Sequence, residues 1–165
     1  MTNAEYKLIP DVDWARLAAF VDGEGCISVD FRRVNKTPRT RSEKQVQSHC
    51  ALYICNNDFR LPMWCESVFG GVVHERKPRI IQGQPRVHYT WSPGRKAVLA
   101  ILTGILPWLI IKREQAEVAI AFVNTIARHG GSGRGHKTPA NVLDIREALF
   151  KRAHELKKEY VVRRA

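Results

Sequence analysis

Apolar residues from Trp14 onward fall at helical spacing. Trp14, Leu17, Ala18 and Val21 share one side, and Gly23 or Gly25 ends the run. The helix follows Pro10, where Asp11 or Asp13 is placed to cap it. The period then changes to two. Across "CISVDFRRVN", Ile27, Val29 and Phe31 alternate with Ser28, Asp30 and Arg32, which predicts a half-buried strand. "KTPRTRSEK" reads as a hairpin loop, and "QVQSHCALYICN" returns as a second strand. Val46, Ser48, Cys50, Leu52 and Ile54 share one parity there, and Gln45, Gln47, His49 and Tyr53 the other. A short helix in "DFRLPMWCESVFGG" is opened by Asn57 or Asp58, limited at its start by Pro62 and closed by Gly70 and Gly71. Two more strands, "VVHERKPRII" and "PRVHYTWS", surround the turn "QGQP"; Val87, Tyr89 and Trp91 alternate with Arg86, His88 and Thr90. Helical stretches follow at 95–103, 111–127 and 139 to about 163, the last two separated by the loop "HGGSGRGHKT". The order α-β-β-α-β-β-α-α-α predicts one α+β domain over residues 1–165, with four antiparallel strands.

Charge sharpens this picture. The 27 Lys and Arg residues against 16 Asp and Glu give a net charge of +11, which favours a polyanionic partner, most commonly nucleic acid. A membrane partner is disfavoured, because the sequence shows neither a long apolar span nor a basic amphipathic terminal helix. "MTNAEYKLIPDVDW" lacks the apolar core of a signal peptide, so an intracellular setting is expected, in the cytoplasm, nucleoid or an organelle compartment. Cys26, Cys50, Cys55 and Cys65 form no CxxC pair and read as reduced, mostly buried thiols rather than zinc ligands. The segment "GGSGRGH" follows a helix, not a strand, and so fits a connector from which Arg134 and Lys137 touch DNA backbone better than a phosphate cradle.

The basic residues are not evenly spread. Arg32, Arg33, Lys36, Arg39, Arg41 and Lys44 gather on the first hairpin; Arg76, Lys77, Arg79 and Arg86 gather on the second. A solvated sheet with charged edges is one reading. The other is a face for DNA, since Gln, Asn and His are interspersed and a curved two-hairpin ribbon can enter a major groove. Strand parity puts Ser28, Asp30, Arg32, Gln47, His49, His74, Arg76, Arg86, His88 and Thr90 on that face, with Lys36, Arg39 and Arg41 reaching from the hairpin.

The end of the first helix raises a separate question. Asp22 and Glu24 sit where the helix dipole places partial negative charge, an arrangement that costs roughly 0.3–1 kcal/mol per carboxylate. Something positive is expected there. Ala15, Ala18, Ala19 and Asp22 also form a narrow face of small residues, suited either to core packing or to close approach of a second helix.

"LAAFVDGEG", Leu17 to Gly25, resembles the motif of the LAGLIDADG homing endonucleases, with Ala19 for Gly and Glu24 for the last acid. The order of elements resembles that family's fold over nearly the whole chain, and "LPWLIIKREQAE" is similar to its segment carrying an active-site lysine. The resemblance implies a site-specific DNA endonuclease that hydrolyses both strands with Mg²⁺, Mn²⁺ substituting, and leaves short 3′ overhangs. Two motif helices then pack at the molecular centre with their acidic ends beside the scissile phosphates. With one motif only, the chain is expected to act as a homodimer on a long pseudo-palindromic double-stranded site, with Ala15, Ala18, Ala19 and Asp22 at the interface. Glu24 becomes the metal-binding carboxylate, helped by the Gly23 carbonyl, and Asp22 the more structural acid. Lys112 becomes the catalytic lysine. Asn56 stands where some members have a water-positioning Gln, and Arg60 where a basic residue occurs. Two alternatives share the fold: a maturase that binds intron RNA, and a DNA-binding regulator that has lost cleavage.

Overall fold

The period-two stretches form four strands, β1 (Gly25–Val34), β2 (Gln45–Asn56), β3 (Val72–Ile81) and β4 (Gln84–Ser92). They make one antiparallel sheet in the order β1-β2-β4-β3. The helices are α1 (Asn3–Tyr6), α2 (Asp11–Glu24), α3 (Arg60–Phe69), α4 (Val98–Ile105), α5 (Arg113–His129) and α6 (Ala140–Val162). This computed structural model describes residues 3–34, 45–81, 84–129 and 138–162. Lys36, Arg39, Arg41, Arg134 and Lys137 lie outside the described residues.

The expected α+β order is present, with two additions. α1 and a 3₁₀ turn at Leu106–Trp108 are each too short to show a period. α1 is tied down by the Tyr6 hydroxyl, which donates to the Phe69 carbonyl at 3.1 Å. Neither Asp11 nor Asp13 caps α2. Its N-cap is Pro10, whose carbonyl accepts the Asp13 and Trp14 amides, while Asp13 pairs with Arg16 at 3.2 Å. Asp58 does serve the start of α3, accepting the Arg60 amide at 2.9 Å.

Residue contacts divide the chain into two compact units, one of residues 1–27 and 51–113, the other of 28–50 and 114–165. In the first, Trp14, Leu17, Ala18 and Val21 of α2 are buried, and α2 packs on α4, whose Val98, Ile101, Leu102 and Ile105 are buried too. Each large apolar side chain so buried contributes roughly 1.5–3 kcal/mol. Aromatic rings run through this core from Tyr6 to Trp14, Phe69 and Trp91, with centroids 6.3, 5.0 and 6.4 Å apart. The indole of Trp14 lies so close to α4 that a Cβ on Gly104 would stand 2.5 Å from it. In the second unit Phe31 meets Phe150 at 6.5 Å. Arg146 of α6 is 1% exposed. Its guanidinium donates to the Thr125 hydroxyl and carbonyl, each at 2.9 Å, and to the Ser48 hydroxyl at 3.3 Å. Burial pushes its pKa below the ordinary arginine value.

Candidate active site and nucleic-acid interface

α2 continues through Gly23 and stops at Glu24, its last residue. Gly25 begins β1 at once. A Cβ there would lie 2.6 Å from the Val21 backbone, so the final glycine of the motif is required by close approach rather than by an unusual dihedral. The Gly25 amide returns to the Phe20 and Val21 carbonyls. Glu24 is thereby left exposed at the mouth of the turn.

The positive partner expected at this helix end is Lys112. Its ammonium donates to the carbonyl oxygens of Val21 at 2.6 Å, Asp22 at 2.9 Å and Gly25 at 2.8 Å. The Val21 carbonyl also accepts the Gly25 amide; the Asp22 carbonyl belongs to the last turn, whose carbonyls lack intrahelical partners, and the Gly25 carbonyl lies just past it. Asp22 returns the contact. Its carboxylate accepts the backbone amides of Ile110 at 2.8 Å, Ile111 at 3.2 Å and Lys112 at 2.8 Å. Two oppositely charged side chains thus each bind the other segment's backbone.

Asn56 closes the other side of the site. Its Nδ2 donates to Glu24 Oε2 at 2.5 Å, and its Oδ1 accepts the Asp58 amide at 2.7 Å. Asn56 thus joins the end of β2 to Glu24 at the end of α2. Arg60 is exposed, and its Nε and Nη2 grip the Asp58 carboxylate, Nε at 2.9 Å from each oxygen. This grip holds the Asp58 carboxyl down at about 2. Sequence reasoning missed Asp58 as part of the site; an aspartate two residues before a helix start reads as a cap, which it also is. The structure brings together Glu24, Gly23, Asn56, Asp22 and Lys112 at the end of α2, with Arg60 joined through Asp58.

The sheet has the two faces that the alternation implied. Trp91 of β4 is opposite Ile54 of β2, both buried on the core side. On the other face, His74 pairs in register with Thr90 and Arg76 with His88. Arg76, Arg86 and His74 are exposed, and His88 is half-buried. In the second unit, Ile27's neighbours Val29 and Phe31 are buried while Ser28 and Asp30 are half-buried and Arg32 and Gln47 are more open; His49 is half-buried. Arg32 donates to Asp30 at 3.1 Å.

Two expectations need correction. Thr90 is on the right face but only 3% exposed, its hydroxyl 3.3 Å from Cys55 Sγ, so it is covered rather than presented to a ligand. Ala18 is fully buried in the chain's own core and cannot line a dimer interface. Asp22, half-buried, turns its carboxylate to the 110–112 backbone, as suits the more structural acid. The open stripe of α2 is Val12, Arg16, Ala19 and Gly23, with Ala15 half-buried beside it. Cys55, exposed on the outward face one residue from Asn56, was read only as a thiol. A register shift between Arg76 and Arg79 also ends the simple alternation in β3, where Pro78 cannot donate to the ladder.

No protein-family model matches this sequence, and no curated protein matches it significantly. Solved structures do match. The homing endonuclease I-CvuI, crystallised with target DNA in the presence of Mg, aligns with a TM-score of 0.63 and 20% identity over 88% of this chain and 82% of that one. The archaeal intron-encoded homing endonuclease I-Vdi141I, complexed with DNA, gives 0.60 and 20% identity over 90% and 84%. The meganuclease I-SmaMI, bound to uncleavable DNA, gives 0.57 and 19% identity, with 84% of this chain covering 44% of that one. The architecture that holds Glu24, Asn56 and Lys112 together is thus the fold of the LAGLIDADG homing endonucleases.

Proposed function

We propose that the protein is a site-specific double-strand DNA endonuclease that hydrolyses phosphodiester bonds with a divalent metal. One observation carries this reading: an exposed carboxylate, Glu24, is fixed by Asn56 at the end of the motif helix, where β2 opens onto an outward face carrying Arg76, Arg86, His74 and His88. That the solved structures sharing the fold include DNA complexes supports the choice of substrate.

The donors suit a hard cation. Among the described residues no group of three or more His, Cys, Asp or Glu stands ready to hold a metal. Glu24 and the Gly23 carbonyl offer oxygens only, which fits Mg²⁺, an ion that keeps waters and takes one or two carboxylates plus substrate phosphates; Mn²⁺ should substitute. When bound, such an ion supplies charge stabilisation to the attacking and leaving oxygens. Asn56 holds one oxygen of Glu24 and sets the direction of the other. Arg60 supplies a cation for the phosphate, oriented by Asp58. Glu24 is assigned to the metal, Asp58 is held by Arg60 and Asp22 by the 110–112 amides, so water carries the proton away. The products are paired breaks with short 3′ overhangs.

A homodimer completes the reading. The chain has one motif and spans under half the length of I-SmaMI, so two copies would supply what one chain supplies there. Val12 on the open stripe of α2, and Ile110 and Ile111 beside Asp22, are exposed apolar residues suited to a shared interface with Ala19 and Gly23. Among the described residues no helix is long and apolar enough to cross a membrane.

The test is a cleavage selection on fragmented DNA from the source organism, with Mg²⁺ in one arm and Ca²⁺ in the other. Paired Mg²⁺-dependent breaks of constant stagger are expected, and Glu24→Gln should abolish them while DNA binding persists. DNA retained without breaks would favour a regulator. Selective retention of intron RNA would favour a maturase.

A further inference from the structure

The thiols, expected to be mostly buried, divide evenly. Cys50 and Cys65 are buried, whereas Cys26 and Cys55 are exposed, and both exposed ones belong to the compact unit that carries Glu24 and Asn56. Cys26 is the second residue of β1, two positions after Glu24. Cys55 is the last but one of β2, directly before Asn56. The two strands are neighbours in the antiparallel sheet, so the start of β1 lies beside the end of β2. Parity puts both thiols on the outward face. Cys26 alternates with the buried Ile27, and Cys55 with the buried Ile54, while its register partner on β4 is Thr90. The bond of 2.5 Å from Asn56 to Glu24 draws the same two strand ends together, and an alignment of Gly25 with Asn56 sets Cys26 opposite Cys55. Opposite residues of an antiparallel pair have Cα atoms about 4.5–5.5 Å apart, within the span of about 4.4–6.8 Å that a disulfide bridges.

We propose that Cys26 and Cys55 are a cross-strand thiol pair, a modification site that hydrogen peroxide closes to a disulfide and a dithiol reductant reopens. One thiol, as its thiolate, attacks a peroxide oxygen; the O–O bond breaks, leaving a sulfenic acid, and the departing hydroxide takes up the thiol's proton as water. The second thiol then attacks that sulfur. The S–S bond forms, the S–O bond breaks, and the hydroxyl leaves with the second proton as another water. The two thiols lose two electrons, and the peroxide gains them. The pair stands without reference to DNA. Its consequence rests on the endonuclease reading: the bridge fixes the spacing of the strand ends that present Glu24 and Asn56, and so slows cleavage.

The experiment treats the reduced full-length protein with equimolar hydrogen peroxide, alkylates it with iodoacetamide and reads it by mass spectrometry without reduction. A single chain two hydrogens lighter is expected, with Cys26 and Cys55 in one cross-linked peptide and neither of them alkylated. Dithiothreitol should restore both thiols. A bridge to Cys50 or Cys65, a bridge between two chains, or two separately oxidised cysteines would overturn the pair. On the duplex recovered from the selection, the bridged protein should cleave at least about 10-fold more slowly than the reduced one, since a misplacement of about 1 Å can cost about 10²-fold. Reduction should recover the rate. The Cys26→Ser/Cys55→Ser protein, compared with itself before and after peroxide, should show no such loss. Equal rates for bridged and reduced wild type, or the same loss in the double variant, would overturn the effect on cleavage. Should the double variant not fold, the wild type decides, because a loss that reduction does not reverse would overturn it too. A protein that bridges as expected but never cleaves when reduced would instead count against the endonuclease reading.

Discussion

Asp58 shows how much one neighbour can change a side chain. Arg60 donates to it from both side chain and backbone, and these bonds, more than simple charge proximity, hold its carboxyl at about 2. The pKa is lowered on folding, so the stabilisation is complete above the ordinary carboxylate value near 4 and is lost as pH falls through about 2. Arg60→Met removes the side-chain bonds but keeps the backbone amide, so the Asp58 midpoint, followed by carboxyl ¹³C NMR, should rise part of the way toward the ordinary range. A midpoint that stays near 2 would mean that another group holds it. Much of this site was legible residue by residue. The resemblance to the endonuclease family pointed to Glu24, Asn56, Arg60 and Lys112, and the structure places Glu24, Asn56 and Lys112 around one end of α2. What Lys112 touches was not legible, because backbone carbonyls carry no signature in a sequence. Nor was the burial of Thr90, which depends on Cys55 from a neighbouring strand. Ala18 and Ala19 are adjacent alanines with opposite fates, one in the core and one open; only the roll of the helix against α4 separates them.

At the scale of elements, long periodic segments were readable and short or interrupted ones were not. The alternation identified the core side through Ile27, Val29 and Phe31 of β1, Cys50, Leu52 and Ile54 of β2 and Trp91 of β4, all buried, while Ala51 and Thr90 are buried on the other side as well. It failed in β3 beyond Arg76, where the ladder slips around Pro78. α1 and the 3₁₀ turn had no period to show. The contact of α2 with α4 is a packing fact that neither helix reveals alone: Gly104 is the gap that Trp14 fills. Gly104→Ala should destabilise the protein by about 1–3 kcal/mol in urea unfolding, because the buried indole has little room to retreat. Gly94→Ala is the control. A Cβ at Gly94 meets nothing within 4 Å, so its unfolding midpoint should hardly move. Equal loss in both would show that the Trp14 contact is not what Gly104 protects.

For the molecule as a whole, the four cysteines divide by environment. Cys50 and Cys65 are buried, and burial pushes both thiols up to about 12, whereas Cys26 and Cys55 are exposed. Native protein at neutral pH is expected to take up two equivalents of iodoacetamide, and denatured protein four, counted by mass spectrometry. Four in the native state would mean that the cores around Cys50 and Cys65 open readily. A different whole-molecule consequence follows from the contact between Asp22 and Lys112. In the six bonds described above, each of these residues grips main-chain atoms of the other segment. The positions that supply those atoms, among them Val21, Ile110 and Ile111, can exchange one side chain for another without the grip registering the change. Two charged residues are thus enough to keep the joint shut while the letters around it drift, and that is one way for an architecture to stay recognisable in space after its text has become hard to recognise in print.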